Sequence, residues 1–125
     1  MAVKVKLVLS TEIKYKGKMK IYKQSDNECY IHEINEVIDL YEDIIGHSAS
    51  RTHALIKEYG NIGALEILMD NVDLQRGFKT LRDRNMLDKT FEATMVKYRN
   101  KVDFDKNAIE IAEFRLKNPN WNKGL

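Results

Sequence analysis

The sequence is poor in the features that usually reveal a chemistry. One cysteine, Cys29, cannot close an internal disulfide, which points to a reduced, cytoplasmic setting. One proline and six glycines leave no linker, and no internal repeat or low-complexity tract divides the chain. Lys4 and Lys6 interrupt the first apolar run, so neither a signal peptide nor a membrane span is expected. The phosphate-cradling G-x-x-x-x-G-K-[ST] loop, the dinucleotide G-x-G-x-x-G, the nucleophile elbow G-x-S-x-G and C-x-x-C are all missing. No cofactor, resident metal or catalytic residue is therefore assigned, and catalysis is not expected.

What is present suffices for one core. The 125 residues, 43% hydrophobic and 32% charged, are too few for two ordinary domains. A formal net charge of +2 implies no polyanion partner by itself, because steering depends on local clustering. The clustering is strong: residues 1–23 hold seven lysines against Glu12 alone, so the acidic excess lies in the rest of the chain.

Two segments alternate with the period of a half-buried strand. In "VKVKLVL", Val3, Val5 and Leu7 oppose Lys4 and Lys6; in "EIKYKGKMKIYK", Ile13, Tyr15, Gly17, Met19 and Ile21 oppose Lys14, Lys16, Lys18 and Lys20. An odd-numbered loop such as Ser10-Thr11-Glu12 puts both apolar rows on one side, and the lysines then collect on the other. Gly17 is a point at which the second run divides into two short strands.

From residue 25 the period becomes helical. Ser25-Asp26-Asn27-Glu28 has the form of a capping box, and a long helix over 25–46 follows, with Ile31, Ile34, Val37, Ile38, Tyr41, Ile44 and Ile45 inward and Gly46 as its stop. Its outer face carries Glu28, Glu33, Glu36, Asp39, Glu42 and Asp43, with no lysine or arginine between Lys23 and Arg51. Short helices are expected over 48–118: one capped by Ser48 or Ser50 and stopped at Gly60, one from Asn61 to Met69, one from Asp73 to about Arg84, one from Asp88 to about Arg99, and a last one opened by Asp103 or Asp105 and closed at Asn118-Pro119. Their apolar positions are Leu74, Phe78 and Leu81; Phe91, Met95 and Tyr98; Ile109, Ala112 and Leu116. The tail 119–125 either docks Trp121 or frays.

Five features bear on function. Same-face residues of a strand lie roughly 6.6–6.8 Å apart, close to successive phosphates of an extended nucleic-acid strand. That suits Lys4, Lys6, Lys14, Lys16, Lys18 and Lys20 to phosphate contact, although a solvated sheet face explains them as well. Asp39 and Asp43, four apart, repel one another and invite a cation: the chain's own lysines, a basic partner, a second copy or a metal. Arg76, Lys79 and Arg82 recur every third residue as a stripe suited to phosphate. "SRTHALIKEYGNIGALEILM" has the outline of a helix-turn-helix, but its second helix offers nothing that reads bases. His32, His47 and His53 stand among carboxylates without a metal-ligand spacing, and Cys29 is read as a half-buried structural thiol.

The expectation is thus a single α+β domain, an N-terminal antiparallel hairpin of two or three short strands followed by about six helices. Its function is expected to be non-catalytic binding, with nucleic acid contacted by the hairpin lysines and the arginine stripe. The alternatives are a protein-interaction module or homodimer using the acidic helix, and a small metal-dependent hydrolase using His47, His53 and carboxylates between Glu33 and Asp43.

Overall fold

A computed structural model describes residues 24–71 and 75–123. In chain order these form α1 (Gln24–Ile45), α2 (Ser50–Asp70), α3 (Arg76–Arg82), a single 3₁₀ turn (Leu87–Lys89), α4 (Phe91–Lys97) and α5 (Lys106–Lys117). Five packed helices account for the described core, and no strand occurs among the described residues. The α+β expectation is corrected accordingly. Its hairpin and six lysines fall on 1–23, outside the described residues, while the helices bury their apolar faces on one another without a sheet between them.

Glycine and capping side chains mark several of the helix ends. Gly46 ends α1 with φ 80°, its amide donating to the Glu42 carbonyl at 2.8 Å. Gly60 has φ 80° and ψ 174° inside α2, a kink that only glycine adopts without strain. The two helices expected there are present, stopped and restarted at Gly60 as the sequence suggests, and they abut at that one residue within α2. A helix-turn-helix needs a turn of about three or four residues, so that outline is not realised.

Asp105 caps α5, accepting from the Ala108 amide at 3.3 Å, and Asn118 ends it, as the sequence suggests. For α4 the cap is Thr90 instead of Asp88. Thr90 is fully buried, accepts from the Ala93 amide at 3.1 Å and donates to the Leu87 carbonyl at 2.7 Å, so Asp88 is left in the 3₁₀ turn. The expected start of α3 at Asp73 lies outside the described residues, and Gln75 is its N-cap.

The core runs between α1, the second half of α2, α4 and α5. Tyr30 sits at its centre with no exposure, edge-on to Tyr98 and Phe104 at ring distances of 5.8 and 5.3 Å. Its hydroxyl donates to the Asn61 carbonyl beside the kink at 2.8 Å. Ile34, Ile38, Leu65 and Met95 pack around it, and α5 lies mainly against α4 and also against α2.

Two of these helices keep their expected apolar positions at the core and bury a charged residue beside them. α5 buries Ala108, Ala112 and Arg115, leaving Ile109 and Leu116 half-buried; α4 buries Glu92 beside Met95. Arg115 and Glu92 meet at 3.1 Å with side-chain exposures of 4% and 3%. The same guanidinium donates to the Met69 carbonyl at 2.7 Å and lies 4.6 Å from the centre of the Trp121 ring. Trp121 also faces Phe78 at 6.2 Å, so the tail docks. Arg82 is 7% exposed and fixes the same tail through the Asn122 side chain and the Pro119 carbonyl.

No helix of the described residues is long and apolar enough to cross a membrane.

Burial raises the Glu92 pKa above the ordinary carboxylate value, with Arg115 opposing the shift. Removing one member of such a pair leaves an uncompensated buried charge and costs about 3–5 kcal/mol. Arg115→Met is expected to lose that much at neutral pH in urea unfolding. A carboxyl whose folded-state pKa is raised destabilises increasingly as pH rises past its unfolded value. The deficit should therefore shrink on acidification, as Glu92 takes a proton. A pH-independent loss under about 1 kcal/mol would show that the pair does not hold the core.

Candidate functional site

Where α1, the start of α2 and α3 meet, the helices enclose a cavity of about 320 Å³, within the range of small-ligand sites. Its apolar floor comes from three elements: Val37 and Ile38 of α1, Leu68 and Met69 of α2, Phe78 and Leu81 of α3. All six are buried positions of their helices. Glu92, the only carboxylate lining the cavity among the described residues, is held by Arg115. The rim is polar and cationic, with Ser48 in the α1–α2 connection, Arg51 and Thr52 at the start of α2 and Arg76 at the start of α3.

The floor is held in place by the end of α2. The last carbonyls of a helix have no partner within it, and here three of them find one elsewhere. The Asn71 side chain donates to Ile67, the Gln75 side chain to Leu68, and Arg115 to Met69. Gln75 also donates to the Asn71 carbonyl at 2.8 Å, so one buried amide spans the α2–α3 connection.

A carboxylate holds the rim. Glu42, in the last turn of α1, accepts through one oxygen from the Ala49 amide at 2.7 Å, His53 Nε2 at 2.7 Å and the Ser48 hydroxyl at 3.5 Å. This ties the α1–α2 connection to both helices. Neither Ser48 nor Ser50 caps α2; the N-cap is Ala49, which has no oxygen to offer the first-turn amides. The first turn of α2, which lines the cavity, thus has no side-chain cap.

The expected site residues are scattered by this arrangement. Arg76 is exposed and Lys79 half-exposed, but Arg82 turns inward to the tail, so the three do not form one stripe. Its Nε also donates to Asp83 at 2.9 Å. Lys4, Lys6, Lys14, Lys16, Lys18 and Lys20 lie outside the described residues.

On the acidic helix Glu33 is taken by Lys97 of α4 at 2.6 Å, and His32 faces Glu36 at 3.4 Å on the surface. Asp39 and Asp43 border a shallow hollow with Glu42, Gly46 and His47. His47 donates from Nδ1 to the Ser48 carbonyl at 3.1 Å, while His53 is spent on Glu42. Among the described residues no three His, Cys, Asp or Glu side chains are placed to hold a metal. Cys29 is exposed, not half-buried as expected.

The cavity is the feature that sequence reading missed. Its floor residues each look like ordinary core, and only their convergence from three helices leaves space. Matching the chain against protein-family models, curated proteins and solved structures finds no similar protein in any of the three.

The Ala49 amide, and after it His53, hold the Glu42 carboxyl below the ordinary glutamate value. Such a group stabilises the fold above its unfolded-state pKa and loses that contribution as pH falls toward the folded-state value. Glu42→Gln should therefore flatten the acid limb of the stability curve between those two values and speed exchange of the Ala49 amide at neutral pH. An unaltered acid limb and exchange rate would mean that the rim is not fastened this way in solution.

Proposed function

We propose that the chain is a non-catalytic binding protein whose ligand is a small amphiphilic anion, its apolar body in the α1–α2–α3 cavity and its acidic head at the rim. The observation that carries this reading is the pairing of an apolar floor with two uncommitted arginines. Among the described residues neither Arg51 nor Arg76 makes an ion pair or a hydrogen bond, and both are exposed beside the cavity.

Each cationic side chain already identified inside the fold is engaged: Arg82 with the tail and Arg115 with Glu92 and Met69. Free guanidinium groups at the mouth of an apolar pocket match a carboxylate, sulfonate or phosphate head, which a planar fork binds with two parallel hydrogen bonds. The uncapped first turn of α2 adds a positive end of the helix dipole on the same side. A cytoplasmic setting is consistent with the single exposed thiol.

A phosphate-tracking nucleic-acid surface has less support, because Arg82 leaves the stripe that was to carry it.

Isothermal titration of the full chain with octanoate, decanoate, dodecanoate and a short single-stranded oligonucleotide separates these readings. Binding of the carboxylates should strengthen with chain length until the cavity is filled. Arg51→Glu and Arg76→Glu should each weaken it roughly tenfold or more, since a hydrogen bond to a charged group contributes about 1.5–3 kcal/mol. Binding of the oligonucleotide alone, falling steeply with salt, would replace the cavity reading with the phosphate one.

A further inference from the structure

The short helix beside the cavity carries a glycine that no backbone requirement explains. Gly77 is the second residue of α3, a helix of seven residues. Its φ is not among the positive values, which belong to Gly46 and Gly60 alone of the described glycines. A residue with helical φ has no need of glycine, and glycine is among the worst helix formers. Nor does close packing ask for it: among the described residues a Cβ built at Gly77 meets no heavy atom within 4 Å, so the space a side chain would take is open.

The direction of that space follows from helical geometry. Gly77 lies four residues before Leu81 and so shares its face. Leu81 is 2% exposed and forms part of the cavity floor, and Gly77 itself lines the cavity. The missing side chain is therefore missing on the cavity side.

We infer that Gly77 is a specificity-determining residue: its lack of a side chain keeps open the part of the cavity beside Leu81 and thereby sets the size of apolar group the protein admits. This rests on the cavity being the ligand site. It adds that α3 gives up helix stability for volume, and that the admitted ligand is bulky enough to need it. Arg76, the preceding residue, stands at the rim, so the same turn of helix contributes both the cation that meets the head and the gap that admits the body.

The test is a size series, Gly77→Ala, Gly77→Leu and Gly77→Phe in the full chain. Each is titrated with octanoate, decanoate and dodecanoate and followed by thermal unfolding. Gly77→Ala should raise Tm by a few degrees, because it removes a helix penalty without a clash, and should keep most of the binding. Gly77→Leu and Gly77→Phe should unfold at or above the wild-type temperature, yet bind dodecanoate at least about tenfold more weakly, with octanoate affected less.

If wild type binds the carboxylates and Gly77→Phe binds them equally well, the inference about Gly77 is wrong and the cavity reading survives. If wild type binds none of them, the cavity reading falls and takes the inference with it. A lower Tm for Gly77→Ala would show that the glycine serves the backbone, which also overturns the inference.

Discussion

Three of the described helices and the tail meet at the guanidinium of Arg115. Taking two charges out of water costs several kcal/mol each, and their attraction offsets this only when geometry is good and the remaining donors are used. Arg115 meets both conditions. One terminal nitrogen reaches Glu92, the other the Met69 carbonyl, and the plane of the group covers Trp121. The residues joined belong to α4, α5, the end of α2 and the tail, so residues 69 and 92 are brought to the 115–121 stretch. A hydrophobic side chain of similar volume would fill the space, but it would leave the Met69 carbonyl without this partner and give Trp121 no cation to stack upon. The pair is thus a junction first and a source of net stability second.

This junction explains why the tail is ordered. A polar segment such as "NPNWNK" has little apolar surface with which to offset the entropy of fixing it. Trp121 supplies most of what there is, between Phe78 and Arg115. Arg82 completes the attachment from α3 through Asn122 and the Pro119 carbonyl. Two arginines from different helices therefore hold six or so residues by hydrogen bonds and ring contact, and neither is available to a ligand. The arginines at the cavity rim, Arg51 and Arg76, are different residues with a different neighbourhood.

How far the sequence disclosed this depends on the kind of signal. Ends of helices were legible where a side chain or a glycine is required at one position: Gly46, Gly60, Asp105 and Asn118 all act as their types suggest. Thr90 prevails over Asp88 because burial, which a local pattern does not express, lets its hydroxyl both donate and accept. The apolar positions of α4 and α5 are legible, but the burial of Glu92 and Arg115 beside them is not, because a charged residue reads as solvent-facing. Yet Arg115 follows Ala108 and Ala112 at the spacing of one helical stripe, and that regularity was available as a hint. Its partner was not, since nothing local links residue 115 to residue 92. The strand-like alternation over 1–23 falls outside the described residues, and the fold class drawn from it does not describe the helices that follow.

The cavity belongs to the part that no local pattern could disclose, and its construction is divided among independent supports. Its floor is held by apolar burial and by Gln75 spanning the α2–α3 connection. Glu42 fastens its rim, and the causes acting on that carboxyl have nothing in common with the Arg115 junction. The space beside Leu81 depends on one absent side chain at Gly77. Met69 and Glu92 belong both to the cavity lining and to the Arg115 junction, but Gly77, Arg51 and Arg76 do not, so the space beside Leu81 and the charge at the mouth can change without replacing a member of the core pair. A fold of this size can thus hold one stable junction and vary what it admits, provided that the variation falls on α3 and the first turn of α2.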